Sequence, residues 1–580
     1  MFLNIFPLIL IYIFFFSIIL SAGKFANDYI LRFENLSLGE HGLIGFLFIY
    51  FLTLIFHFFI SINDLLIYFF YISLIIFLLK NIKSIFNLKK TNFLTIIIII
   101  SVFLVLSITN NHHDDLYIFQ LPIINYMQNH KIVFGLINLN DFIGQGHSFY
   151  EIMSFFKIPV YENRAYFLLP IIFVNFFVIF LYEILKNEKK HLVKYFIYFV
   201  LALLIIRFSR SKEYGTDLPI LCLLFYIQIN FFRFLYSKEI EFFSKSILAS
   251  LFCIILKLYG ILSIFYLLAF MPVLKKDVFL VFNKKKYLFF LTSIFLLTIL
   301  KNIVVSGCLF YPISDICFDK KHASWSISKE IADKRNEFYN AQVKGWRSYT
   351  KNINGGNFIS AKDYLEKNFI EKFRGLKSDK DSEKIITGFV LITIFILIAT
   401  FSKNKIKIYK LQKTSNSIIL ILLFLPFLIW LIKFPQSRYG YFSYIACLFF
   451  YISHQLFNLG EINKKLLTSL FSILLIFLLT KNFSRIYKEI NNNPNNYTYY
   501  PIKEFRKDDF KTIFINNVKF NIPINSFMEC SNIPMFCVAN ENMIKNVKFL
   551  YGYYFLENNI LELKQHIKST ANYDMVETNK

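Results

Sequence analysis

The sequence predicts a polytopic α-helical membrane protein, and three observations carry that class. Apolar runs long enough to cross a hydrocarbon layer of about 30 Å, at about 17 to 25 residues each, recur from the N-terminus to residue 480. Only 17% of the 580 residues are charged while 56% are hydrophobic, and the mean hydropathy is +0.51; soluble globules run nearer a quarter charged. The runs are apolar throughout, which excludes a β-barrel with its alternating strands. The net charge of +25, from 63 Lys+Arg against 38 Asp+Glu, sits in short Lys-rich loops of the kind held on the cytoplasmic side, so nucleic acid is not an expected partner.

The elements follow from the loops. Run 2–20 has no Lys or Arg before it and exceeds the about 7 to 15 apolar residues of a signal-peptide core, so it reads as a retained helix. Runs 42–62 and 65–79 come next. Segment 80–92 carries four Lys and no acid, which assigns it to the cytoplasm. Parity then takes 93–108 outward, leaves 110–164 as a polar outer stretch and returns 166–182 to a basic loop at Lys186, Lys189 and Lys190. Runs 195–208 and 218–236 form a pair joined outside by 209–217. Run 246–272 is interrupted at Lys257 and Gly260 and followed by a basic loop, so two short helices hinged outside at 257–260 are expected, with Gly permitting the turn. Helix 287–304 exits, 385–401 returns, 418–432 exits, 441–456 re-enters and 466–479 exits again. The expected total is about 13–14 transmembrane helices, with both termini outside.

This order divides the chain into N-terminal helices at 1–92, a core at 93–304 with a first outer loop at 109–165, an outer loop at 305–384, C-terminal helices at 385–481 and an extracytoplasmic domain at 482–580. Trp325 and Trp346 in the charged stretch 320–384 fit either amphipathic helices lying on the outer headgroups or a plain solvated loop. Two short apolar runs around Asn516 and Asn517 read as a hairpin in a small α/β or β-rich terminal domain. Cysteine usage agrees with the outer assignment, because Cys308 with Cys317 and Cys530 with Cys537 form close pairs in segments placed where disulfides form.

Three polar clusters gather on the outer face. His112, His113, Asp114 and Asp115 follow the 93–108 helix; Arg210, Lys212, Glu213 and Asp217 lie in the second link; Arg438 and Tyr439 lie in the third. A carboxylate at the interface can accept a proton from an acceptor hydroxyl, and a second can orient that acceptor or hold a divalent cation. An Arg offers a planar fork suited to phosphate. Acid plus Arg at headgroup level suits transfer of a sugar from a lipid-phosphate carrier, whose leaving group departs as a stabilised anion. Adjacent residues on a helix point about 100° apart, so HHDD is a poor metal chelate by itself and no resident metal is expected.

The long outer loop with paired acids, the short acid-bearing link, the many helices and the C-terminal outer domain resemble the GT-C superfamily of polyprenyl-phosphate-sugar-dependent membrane glycosyltransferases. The motifs NHHDDLYIFQLP, EYGTDLP, ILKLYG and KNIVVSGCLFYPISDICF are similar to an uncharacterised group of bacterial GT-C-like envelope proteins. The resemblance implies a GT-C-like core and a catalytic role for Asp114 or Asp115, with Glu213 and Asp217 as the second acidic motif. It places Arg438 at the carrier phosphate. From their positions in the outer links, His113, Lys257 and Tyr439 are further candidate substrate-binding residues. No WWD signature is present and EYGTD is not a strict DxD, so the match departs from the protein-modifying members.

The function expected is transfer of a sugar from a polyprenyl-phosphate donor to a glycolipid or polysaccharide acceptor, by inversion, at the outer face of a bacterial plasma membrane. No cofactor is needed beyond an optional divalent cation, and the remaining partner is membrane lipid. A lipid-linked sugar flippase is the rival from another class, which would place charges along a mid-membrane cavity and show repeat symmetry; a polysaccharide polymerase is the rival closest in chemistry. No GxGxxG, Walker loop or G-x-S-x-G occurs, so nucleotide-driven transport and serine hydrolysis have no motif.

Overall fold

The structure, a computed structural model, describes residues 5–85, 90–107, 116–140, 143–144, 148–158, 165, 167–188, 191–208, 216–352, 359–378, 413–436, 464–492, 509–524, 536–538 and 544–558. Among these, six helices are long and apolar enough to cross a membrane: Phe6–Leu31, Leu38–Phe59, Asp64–Ile82, Leu169–Asn187, Asp217–Ser237 and Lys285–Ser306. Four shorter apolar helices accompany them, at Leu94–Leu104, Val193–Leu204, Leu258–Leu274 and Ser417–Lys433. The expected count of about 13–14 full spans is thus not met among the described residues. Runs 385–401 and 441–456 lie outside them.

In chain order the helices are α1 (Ile5–Ala26), α2 (Leu38–Phe59), α3 (Asp64–Ile85), α4 (Lys90–Ser107), α5 (Leu121–Asn129), α6 (Ser148–Ser154), α7 (Leu169–Asn187), α8 (His191–Phe208), α9 (Asp217–Ser237) and α10 (Ile240–Leu256). After a 3-10 turn at Leu258–Leu262 come α11 (Ser263–Leu268), α12 (Met271–Leu274), α13 (Phe279–Phe282) and α14 (Lys285–Ser306). Then α15 (Lys329–Gln342), α16 (Trp346–Asn352), α17 (Ala361–Glu366) and α18 (Phe369–Ser378) precede two long helices, Lys413–Lys433 and Lys464–Asn492.

Small residues set the closest packing. Helix α2 starts with a capping box, in which Ser37 Oγ accepts from Glu40 N–H while the Glu40 carboxylate accepts from Ser37 N–H. Its Gly45 lies so near α1 that a Cβ there would meet Ile19 O at 2.0 Å, and one on Gly23 of α1 would meet His41 O at 1.7 Å. Glycine therefore lets these two backbones touch, as in membrane helix pairs generally. Outward faces are apolar too: Leu65, Phe69, Ile72, Ile76 and Leu79 of α3 are exposed at three- and four-residue spacing, one stripe suited to lipid tails.

The polar links sort into two ends. At one end Glu183 accepts from Leu38 and Gly39 N–H, Lys245 contacts Glu40 at 3.1 Å and Glu241 at 3.0 Å, and Tyr287 donates to Ser244 O. At the other, Ile62 N–H donates to Met127 O, Ile132 N–H to His57 O and Gly135 N–H to Val304 O.

The hinge takes a different form from the one expected. Lys257 is extended (φ −160°, ψ 146°) and ends α10, and the returning segment is a 3-10 turn followed by the short α11 and α12. The return is therefore a broken helix. Gly260 has an ordinary φ; its part is close approach, since a Cβ there would meet Cys253 O at 2.2 Å.

The stretch 110–164 was expected to be a polar outer loop. Its described part is instead largely buried, with α5 and α6 packed on the bundle end. Trp346 is also buried, in a small core with Phe338, Tyr349 and Tyr364, and the Trp325 indole N–H donates to Ile303 O. Trp346 is thus a core residue, while Trp325 is half-buried. The terminal region holds two hairpins, β1 (Phe510–Ile515) with β2 (Val518–Pro523) and β3 (Ile544–Leu550) with β4 (Tyr553–Asn558). Asn516 and Asn517 turn the first at φ 48° and 62°, the left-handed pair such a turn requires. Strand β4 lies against the bundle: Leu556 N–H donates to Phe134 O and the Tyr553 hydroxyl to Phe58 O.

Candidate functional site

Two antiparallel neighbours build the site at the second end. Helix α9 begins at Asp217 and α10 finishes before Lys257, so an acid at a helix N-terminus meets a lysine at a helix C-terminus. Each charge complements its own helix dipole. Lys257 Nζ donates to Asp217 Oδ1 at 2.6 Å, and the Tyr259 hydroxyl stands 3.5 Å from the same oxygen. The two side chains are 28% and 13% exposed, so the pair is sheltered yet reachable.

Lys257 borders a cleft whose wall includes Ser148, Ile255, Phe295, Thr298, Asn302 and Tyr311. A small neighbouring cavity shares Gly144 and Asn302 with it and is lined by His57, Tyr126, Glu151 and Lys301. Glu151 on α6 and Lys301 on α14 form a buried ion pair at 2.5 Å. Ser148 donates to Ile255 O, which fixes α6 to the end of α10. The Tyr126 hydroxyl accepts from Val133 N–H at 2.6 Å, and burial pushes this phenol above its ordinary range, so it stays protonated.

The described edges of all three outer clusters come to this end. Phe119, four residues after Asp115, packs edge-on against Tyr150 of α6. Asp217 is itself in the second cluster. Phe434, four residues before Arg438, meets the Tyr259 ring at 6.2 Å. His113, Asp114, Asp115, Glu213, Arg438, Tyr439 and Cys530 lie outside the described residues.

Cys308 and Cys317 are disulfide-bonded, with S–S 2.03 Å. Cys537 is also disulfide-bonded, its partner lying outside the described residues. Among the described residues no group of three His, Cys, Asp or Glu could hold a metal. A family model described as a domain of unknown function (DUF8201) matches residues 5–446.

The chain belongs to the DUF8201 family.

No curated protein and no solved structure matches it. The DUF8201 segment contains both ion pairs and both cavities, while the terminal hairpins lie beyond it. Sequence reasoning singled out Asp217 and Lys257 separately but not their contact. It missed Glu151 and Lys301, although Lys301 opens the quoted motif KNIVVSGCLFYPISDICF and an acid inside the aromatic stretch FYEIMSFF was a usable signal.

Proposed function

We propose that the protein is a GT-C-type glycosyltransferase that moves a sugar from a polyprenyl-phosphate carrier to a glycolipid or polysaccharide acceptor at the outer face of a bacterial plasma membrane. The observation that supports this reading is the Asp217–Lys257 pair at the edge of a cleft, with the neighbours of the other two polar clusters close by. An ammonium held by a carboxylate at a helix end suits a phosphate group at headgroup level.

In this reading Lys257 and Arg438 face the carrier phosphate. A carboxylate, Asp114 or Asp115, takes the proton of the acceptor hydroxyl as its oxygen attacks the anomeric carbon. The bond from that carbon to the phosphate oxygen breaks, and the polyprenyl phosphate leaves as an anion stabilised by the two cations. Glu213 orients the acceptor, and Asp217 positions Lys257.

The test is transfer of labelled sugar from a polyprenyl-phosphate donor to envelope glycolipid in membranes. Replacing the base by Asn keeps its volume and removes the proton acceptor, so turnover should fall by about 10²- to 10⁴-fold while carrier binding survives. Arg438→Ala should weaken carrier binding too, with Lys restoring it only in part. Unchanged transfer in an Asp114→Asn, Asp115→Asn double variant at normal protein level rules the assignment out. Movement of lipid-linked sugar across the bilayer with no new glycosidic bond would point to a flippase.

A further inference from the structure

The two terminal hairpins turn through similar backbone angles but end in different chemistry. Asn516 and Asn517 carry β1 into β2, and the Asn516 side-chain amide donates to Asn546 Oδ1 and Val547 O, so that tip is polar and rests on protein. Tyr551 and Gly552, at φ 53° and 78°, carry β3 into β4. Glycine adopts this left-handed conformation freely and Asn tolerates it, whereas a bulky residue is strained there. Tyr551 is nonetheless 96% exposed, so packing within the chain does not account for a tyrosine at this position.

Apolar exposure rises along the hairpin. At its root both faces are covered: Val547 and Leu556 are buried, Tyr554 meets Phe536 edge-on, and Phe134 stacks on Phe555 at 4.4 Å. Near the tip Phe549 and Leu550, which project to opposite faces of the strand, are 59% and 48% exposed. Three consecutive apolar or aromatic residues thus stand uncovered beside a turn, where polar residues are the rule.

The position of the tip indicates what covers it. The Tyr553 hydroxyl donates to Phe58 O at 3.0 Å, one residue before the end of α2, a helix long and apolar enough to cross a membrane. Phe59, Ile60 and Leu65 follow that contact in the α2–α3 link, all exposed and apolar, and Leu65 opens the outward stripe of α3. The hairpin tip therefore continues a lipid-facing surface at the end of the bundle. Polar groups mark the same level: Lys157 pairs with Asp64 at 3.0 Å, and Lys131 Nζ lies 4.0 Å from the centre of the Tyr553 ring. Tyrosine rings and lysine ammonium groups favour the headgroup layer, where the apolar body of each side chain meets lipid and its polar end meets water.

We propose that the β3–β4 tip, through Phe549, Leu550 and Tyr551, inserts at headgroup depth into the leaflet on the candidate-site side and holds the terminal domain down on the bundle. Headgroup depth is wet, so a thiol placed at 551 stays open to a water-soluble reagent. The hairpin root transmits the hold: Leu556 N–H donates to Phe134 O, and Leu556 O accepts from the Asn138 side-chain amide.

The full-length protein with Lys548→Cys, an exposed position just before the tip, is labelled with a small thiol-linked fluorophore. Losing the exposed Lys548–Glu557 pair should matter little to stability. The labelled protein is placed in phosphatidylcholine nanodiscs with and without a nitroxide on the lipid headgroup. The nitroxide lipid should quench the label. Leu550→Ser with Tyr551→Asn removes the apolar tip and supplies a residue suited to the left-handed turn; it should elute like the parent, lose the quenching and become more open to aqueous iodide. Tyr551→Asn alone, which relieves the turn, should weaken the quenching in a protein of unchanged fold.

A parental label that the nitroxide lipid does not quench would overturn the proposal. Equal quenching in the parent and in both variants would overturn it as well, because the label would then lie near lipid without insertion of the tip. Shielding from iodide that grows with protein concentration, with no quenching by the nitroxide lipid, would show that a second copy covers the tip and would also overturn it.

Discussion

At the scale of single residues, the ion pairs differ by their surroundings more than by their geometry. Lys245 touches Glu40 and Glu241 at 3.1 and 3.0 Å with its side chain 4% exposed, and the Tyr226 hydroxyl donates to Glu40 at 2.9 Å. Lys329 touches Asp315 at 2.9 Å, but those side chains are 66% and 82% exposed. Truncating one partner of a buried pair leaves a charge uncompensated, at a cost of about 3–5 kcal/mol, whereas an exposed pair contributes little. Lys245→Met should therefore lower stability toward the bottom of that range, since Glu40 keeps the Tyr226 and Ser37 hydrogen bonds. Lys329→Ala should leave the denaturation midpoint where it is. Unfolding in mixed micelles compares the two, and equal midpoints would mean that Lys245 is solvated in the folded protein.

At the scale of elements, local signals were readable and pairwise ones were not. The α2 start is written in S-x-x-E at Ser37 and Glu40, and the first hairpin in Asn516–Asn517; both depend on neighbours a few residues apart. The hinge at Lys257 was legible as an interrupted apolar run, but its return as a broken helix was not. The contact of Asp217 with Lys257 spans 40 residues and that of Glu151 with Lys301 spans 150, so each follows from which helices become neighbours, a property no periodicity encodes. The tight α1–α2 contact is of the same kind. Gly45→Ala should push a methyl toward Ile19 O and Gly23→Ala toward His41 O, which are backbone atoms that cannot swing aside. Each should cost about 1–3 kcal/mol. Leu65→Ala, on the outward stripe of α3 where Leu65 is 82% exposed, should change the same unfolding curve far less. Equal effects at the three positions would argue that α1 and α2 do not pack as closely as described.

At the scale of the molecule, charge and contact agree on two ends, and this agreement fixes what an orientation experiment must find. The segments 24–41, 183–188, 233–245 and 275–286 belong to one end, joined by contacts such as Lys245 with Glu40, Leu38 N–H with Glu183 and Lys286 Nζ with Tyr29 O. Both ion pairs of the candidate site, the disulfide Cys308–Cys317 and the strand β4 belong to the other. The first end carries the Lys-rich loops, so it should face the cytoplasm. The described free cysteines, Cys222 and Cys253, are buried, which gives added surface thiols a low background. Lys321→Cys and Tyr551→Cys, at exposed positions of the second end, should react with a membrane-impermeant maleimide in intact cells. Asn283→Cys, at an exposed position of the first end, should react only after the membrane is opened. Because one rigid bundle cannot present both ends to the same compartment, a reversed pattern would place the candidate site in the cytoplasm. That outcome would remove the outer-face transferase.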